Sequence, residues 1–156
     1  MSQKIKIMIL GGARENGKNM YAVQVEDEIF IMDAGLKYPD SSLLGIDVVI
    51  PDLDFFRDYG DKIAGIFLTH GHADSIGALP YILRDYDIPV FGSKLTIELA
   101  KIAVQRENRR RKNDLFHVID ADTEIEFKNA NVSFFKTTHS IPDSLGIDIS
   151  TKEGEI

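Results

Sequence analysis

The stretch Gly65-Ile66-Phe67-Leu68-Thr69-His70-Gly71-His72-Ala73-Asp74-Ser75-Ile76-Gly77-Ala78 decides how this chain is read. Its apolar start, with β-branched and aromatic residues, predicts a buried strand ending at Thr69, and residues 75–83 follow with helical character. His70, His72 and Asp74 stand at alternate positions where strand gives way to helix, so two imidazoles and a carboxylate share one side of the turn. Imidazole nitrogen with carboxylate oxygen is the donor set that suits zinc or a comparable divalent ion. A third histidine, His139, ends another apolar run, residues 132–138, again just before a loop. A lone His-x-His in a loop is a weak pattern, since polar loop histidines are often only solvated. The strand-to-loop context, the flanking glycines and the second histidine-bearing strand end favour a metal site. His117, inside the expected strand 115–119, reads as a structural or surface residue and not as a ligand.

Composition narrows the setting. With 156 residues, 44% of them hydrophobic and 28% charged, one globular unit with a real core is expected. The chain has no Cys, which excludes disulfide frameworks and thiolate metal sites and fits a reducing, cytoplasmic setting. No long apolar run suggests secretion or membrane anchoring. The formal charge of −7 argues against a generally basic nucleic-acid-binding module. Any contact with RNA is left to the basic run around Arg109, Arg110, Arg111 and Lys112, whose plainer explanation is a solvated helix end.

Outward from the central stretch, residues 4–10, 20–25 and 28–32 read as strands, the last two joined by a tight turn at Glu26-Asp27. The turn Gly11-Gly12-Ala13-Arg14-Glu15-Asn16-Gly17-Lys18-Asn19 has phosphate-cradling composition but no Walker spacing, and a structural turn is the stronger reading. Asp33, at the end of the third strand, is either a turn residue or a hydrogen-bonding support behind the metal ligands. Residues 36–51 form a long loop of the kind that rims a site. Short helices are expected at 52–59, with Asp52 as N-cap, and at 76–86, where Pro80 must lie near the first turn or kink the helix. A longer helix over 94–107 follows the Gly92-Ser93 cap and is expected to bury Leu95, Leu99, Ile102 and Ala103. Strands are read at 89–91, 115–119, 124–127, 132–137 and 145–150, with a hairpin turn at 152–155 that has only one expected arm.

The strand order, the Thr-His-Gly-His-Ala-Asp loop and the later Thr-Thr-His-Ser-Ile-Pro-Asp-Ser loop resemble the metallo-β-lactamase superfamily, and within it the ribonuclease J branch. The 11–19 turn, Asp33-Ala34-Gly35 and Leu44-Gly45-Ile46-Asp47 are similar to that branch too. The resemblance implies an α/β chain forming the N-terminal part of a metallo-β-lactamase αββα sandwich, with the β-CASP insertion, the remaining sandwich and a C-terminal domain lying outside residues 1–156. It implies His70, His72 and His139 as ligands of a first ion and Asp74 as a ligand of a second, with His72 and Asp74 in catalysis and Asp33 and Ser140 as supports. The family's next histidine is replaced by Ser75, Ala73 stands where active members commonly carry Glu, and the bridging aspartate falls beyond Ile156. The second site is therefore expected to be weak or empty, and the ion to be Zn2+, with Mn2+ or Mg2+ as alternatives.

That pattern is similar to a weakly active paralogue of the branch that partners an active one. The implied function is a metal-dependent ribonuclease, 5′-3′ exonuclease or endonuclease, in RNA processing and decay. Its alternative is a catalytically weak subunit that stabilises an active ribonuclease J paralogue. A third reading is a superfamily hydrolase of thioesters or lactones. The implied partners are RNA, the active paralogue in a hetero-oligomer, and further copies in a homodimer or tetramer, with no membrane.

Overall fold

Ile29 and Ile31 point to one face of their strand and Phe30 to the other, and the same split recurs at Ile66 and Phe67. Strands apolar on both faces belong in the middle of a layered structure, and the computed structural model, which describes residues 2–107 and 113–156, places them there. Strands β1 (Ile5–Gly11), β2 (Met20–Val25) and β3 (Glu28–Met32) form an antiparallel meander. Glu26 supplies the left-handed residue of the second turn, at φ 55°. The chain then crosses through helix α1 (Asp54–Tyr59) to β4 (Ile63–Phe67), parallel to β3.

Helices α2 (Ala73–Ile76) and α3 (Leu79–Asp85) lead to β5 (Val90–Gly92), and α4 (Lys94–Glu107) precedes β6 (Phe116–Val118). These six strands make one sheet in sequence order. Strands β7 (Glu124–Glu126), β8 (Asn131–Lys136), β9 (Leu145–Thr151) and β10 (Gly154–Glu155) make a second, antiparallel sheet.

Two apolar clusters hold three layers together. Ile29, Ile31, Ile66 and Leu68 pack with Phe56, Leu79, Ile82 and Ile97 of the helices. On the opposite face Val23, Val25, Phe30 and Phe67 meet Val132, Phe134, Leu145 and Ile149 of the second sheet. Phe67 is the hub of this inter-sheet cluster: its ring stacks on Phe91 at 4.9 Å and lies within 6.2 Å of Phe30, Phe127 and Phe134. The layers run helix, sheet, sheet, as the α/β expectation requires.

Several details depart from the sequence reading. The single helix over 76–86 is two short helices, because Pro80 lies in the first turn of α3 and lacks the N–H that a continuous helix would use. Asp52 is not the N-cap; its carboxylate accepts from the Asp54 N–H while Leu53 takes the cap position. Helix α4 buries Thr96, Ile97, Ala100 and Val104, not the expected Leu95–Leu99–Ile102–Ala103 stripe, and Ile102 is 45% exposed. Small Ala100 and a Thr96 hydroxyl satisfied by Ser93 (2.9 Å) let that face approach the sheet. The second arm of the last hairpin is present but short, with Gly154 and Glu155 opposite Thr151 and Ser150.

Truncation of the hub is expected to be costly. Phe67→Ala should lower the unfolding free energy by about 3–5 kcal/mol, read as a shift of the denaturant midpoint by circular dichroism. A loss below about 1 kcal/mol, the range of a tolerated volume change, would refute this assignment of the core.

Candidate metal centre

The sheet delivers its polar groups at the C-terminal ends of β3 and β4. Asp33, at φ 60°, ends β3 with its N–H on the Phe67 carbonyl. Its carboxylate accepts the Thr69 N–H at 2.8 Å and the Thr69 hydroxyl at 2.9 Å. Thr69 Oγ1 lies 2.8 Å from His70 Nδ1. With its hydrogen given to Asp33, that oxygen accepts from Nδ1–H, leaving the Nε2 lone pair of His70 free for a ligand.

The following loop is laced to the first turn of the chain. Ala34 N–H donates to the Ser75 carbonyl (2.7 Å), Leu36 N–H to Ala73 (3.0 Å) and Asn19 N–H to Asp74 (3.1 Å). Gly35 passes so close beneath that a Cβ there would collide with the Asp74 carbonyl. The amides of Lys18 and Asn19 are thus spent on Leu36 and Asp74, which makes the 11–19 turn a structural clamp.

Three imidazoles converge above this clamp. One nitrogen from each of His70, His72 and His139 lies within 4.8 Å of the others, and the ring centroids are 4.2 to 5.0 Å apart. His139 comes from the second sheet, on a 137–144 loop closed by Thr137 and Ser144 (3.0 Å) and tied to the first sheet by Leu145 N–H on Thr69 O (2.8 Å). Asp74 stands at the margin: Oδ2 accepts from Asn19 Nδ2 at 3.1 Å, and Oδ1 is 3.7 Å from His70 Nε2. His70 Nε2 is buried and makes no hydrogen bond among the described residues. A buried polar atom without a partner is costly, and a divalent ion satisfies it. Tetrahedral zinc ligands 2.0–2.1 Å from the ion are about 3.4 Å apart, so a small contraction of the three histidines fits them to one ion.

Burial holds the His70 pKa below the ordinary imidazole value, with His139 and His72 adding to the effect and Asp74 opposing it. The neutral ring is the ligand form. Burial also raises the Asp33 carboxyl to about 7, against the lowering effect of the Thr69 bonds and of the nearby Ser75 hydroxyl.

The structure therefore brings together His70, His72 and His139, places Asp74 beside them and puts Asp33 behind His70. Ser140 Oγ lies 3.4 Å from His139 Nδ1. His117 is elsewhere, stacked on Phe91 at 5.0 Å. Arg109, Arg110, Arg111 and Lys112 lie outside the described residues. Sequence reasoning missed Thr69 and Asn19 as direct supports; their signal was adjacency to His70 and a place in the polar 11–19 turn.

A stacked sheet pair with strand-end histidines from both sheets defines a class, and the family comparison gives its name. Residues 13–147 match the model of the metallo-beta-lactamase superfamily, and the chain belongs to that superfamily. Within it, the chain is similar to Ribonuclease J 2 of Streptococcus pyogenes serotype M3, at 59% identity over 97% of this chain and 28% of that protein. Ribonuclease J 2 of Staphylococcus aureus strain NCTC 8325 is 50% identical over 99% of the chain and again 28% of the relative. The chain thus spans 28% of the length of these relatives. Among solved structures, a protein of unknown function from Enterococcus faecalis V583 matches with TM-score 0.70 and 17% identity over 97% of this chain and 42% of that one. Human tRNase Z, short form, matches with TM-score 0.60 and 17% identity over 96% and 66%. At those identities the two structures bear on the fold alone.

Thr69→Val keeps the shape of the side chain but removes the hydroxyl between Asp33 and His70. Zinc affinity should fall about 10–100-fold, measured by competition titration. An unchanged affinity would show that Thr69 does not orient His70.

Proposed function

We infer that this chain carries the metal centre of a metal-dependent ribonuclease of low intrinsic activity. The carrying observation is the buried Nε2 of His70, without a hydrogen bond among the described residues and 3.7 Å from Asp74 Oδ1, on a ring clustered with His72 and His139, in a chain similar to Ribonuclease J 2. His70, His72 and His139 are the ligands of the ion, with zinc favoured by the nitrogen donors and Mn2+ or Mg2+ by the carboxylate side. When bound, the ion supplies Lewis acidity toward a phosphodiester and a more acidic water. Asp74 and His72 are the catalytic groups of this chain, Asp74 offering Oδ1 as the proton acceptor nearest the cluster. Asp33 and Ser140 hold His70 and His139 in orientation.

A cleft of about 370 Å³ lined by Asn16, Gly17, Lys37, Tyr38, Ala73 and Asp74 leads to the carboxylate. A base can stack on the exposed Tyr38 ring there. The basic residues Arg109, Arg110, Arg111 and Lys112 offset the acidic balance for RNA phosphates. The setting is cytoplasmic RNA processing and decay; no helix among the described residues is long and apolar enough to cross a membrane.

A second reading has its own support. Ser75 stands where the resemblance implies a further histidine, which leaves Asp74 as the one donor for a second ion in this chain. On that reading the protein binds and stabilises an active ribonuclease J paralogue. The deciding assay is RNA cleavage by the intact protein with Zn2+ or Mn2+, beside His72→Ala and the double change Ser75→His with Ala73→Glu. The nuclease reading expects weak cleavage that His72→Ala abolishes and the double change raises at least about ten-fold, the scale of one lost ligand interaction. Cleavage equal in wild type and His72→Ala refutes it; co-elution with the active paralogue then supports the subunit reading.

A further inference from the structure

The 11–19 turn has the composition of a phosphate cradle, yet its Lys18 and Asn19 amides are spent on Leu36 and Asp74. What it offers a ligand is side-chain charge. Glu15 lies 3.1 Å from Lys18 Nζ and 3.5 Å from Lys37 Nζ. One carboxylate between two ammoniums leaves one positive charge uncompensated within the cluster, in a chain whose formal charge is −7. The three side chains are 20% to 29% exposed, so solvent and salt screen that charge less than on open surface.

Lys37 is held firmly. Its N–H donates to the Val49 carbonyl and its carbonyl accepts the Val49 N–H, each at 2.8 Å. The preceding residue is tied to the metal loop by Leu36 N–H on the Ala73 carbonyl. Gly17, at φ 97°, lies so close beneath that a Cβ there would meet the Lys37 Cβ at 3.0 Å. The same turn keeps Arg14 at φ 57° and Lys18 at φ 53°. Left-handed backbone at such residues costs free energy and persists only where the surroundings enforce it.

Lys37 is also the one cation among the residues lining the cleft that reaches Asp74. A strand entering there carries phosphates past a carboxylate that repels them, and an ammonium in the same cleft offsets that repulsion. Lys18 pairs more closely with Glu15 and does not line the cleft. Tyr38 follows Lys37 directly, is exposed and lines the same cleft.

We propose that Lys37 and Tyr38 form a one-nucleotide subsite, in which the Lys37 ammonium binds a backbone phosphate of the RNA strand and Tyr38 stacks on the base. The proposal rests on the ribonuclease reading above and adds the contact that positions the strand. An ammonium is a point charge and the ring accepts any base, so the subsite is indifferent to sequence.

The test is fluorescence anisotropy of a short labelled single-stranded RNA, phosphorothioate-linked to resist cleavage, with the intact protein across a salt series. Lys37→Ala should weaken binding and make the slope of log affinity against log salt shallower by about 0.7, the value for one phosphate of a single strand. Lys37→Arg should keep the slope. Lys37→Gln, which retains most of the stem, gives the same readout if the alanine variant does not fold, as judged by circular dichroism. Tyr38→Ala should weaken binding about ten-fold, the scale of one stacked base, without changing the slope. Lys128→Ala, which removes a lysine paired with Asp27 at the other end of β3, is the control for net charge. Wild-type affinity and slope in Lys37→Ala and Lys37→Gln, a slope change no larger than that of Lys128→Ala, or full affinity in Tyr38→Ala would overturn the subsite and spare the ribonuclease reading. Failure of wild type to bind the RNA at low salt would overturn both.

Discussion

The bond between Asp33 and Thr69 is the constraint on which the rest of the site depends. A carboxyl group buried at the end of β3 is expensive unless its oxygens are occupied, and the N–H and hydroxyl of Thr69 occupy them. That pairing requires β3 and β4 to end at the same level, which their parallel register, with Met32 opposite Phe67, provides. From Thr69 the constraint passes directly to His70, and from Ala34 and Leu36 to the 73–75 backbone. The polar loop is therefore as well determined as the strands beneath it.

The apolar layers serve that alignment. Phe67, one residue before the loop begins, is gripped from both sheets, while Ile66 and Leu68 face the helices. Alternation along a single strand thus joins three layers at the point where the histidines emerge. Helix α4 adds a contact of its own, because a Cβ on Gly71 would have to push the end of the Leu99 side chain aside.

Much of this was legible in the sequence. Period-2 alternation and turn chemistry located the strands, and the His-x-His-x-Asp spacing at a strand end pointed to histidines that the structure brings together with His139. The buried face of α4 was not legible, because apolar residues occur on two of its sides and only the partner decides between them. The break between α2 and α3 was half legible, since Pro80 announced a disturbance without saying where the chain would resume. The direction of the Ser75 hydroxyl was hidden altogether. It depends on the Ala34 N–H and the His72 carbonyl, the first of them brought near only by folding. Asn19 was hidden for the same reason: it is 55 positions from the carboxylate it holds.

His70 and His72 ride on the first sheet, whereas His139 rides on the second. An ion gripped by all three would act as a clasp across the seam of the sandwich, in parallel with the Leu145–Thr69 hydrogen bond. Its binding energy would then be shared between coordination and resistance to sheet separation, by the ordinary linkage of ligand binding to the state that binds it. Capture of the ion and closure of the seam become a single equilibrium, so anything that tightens the contact between the two sheets also tightens the hold on the metal.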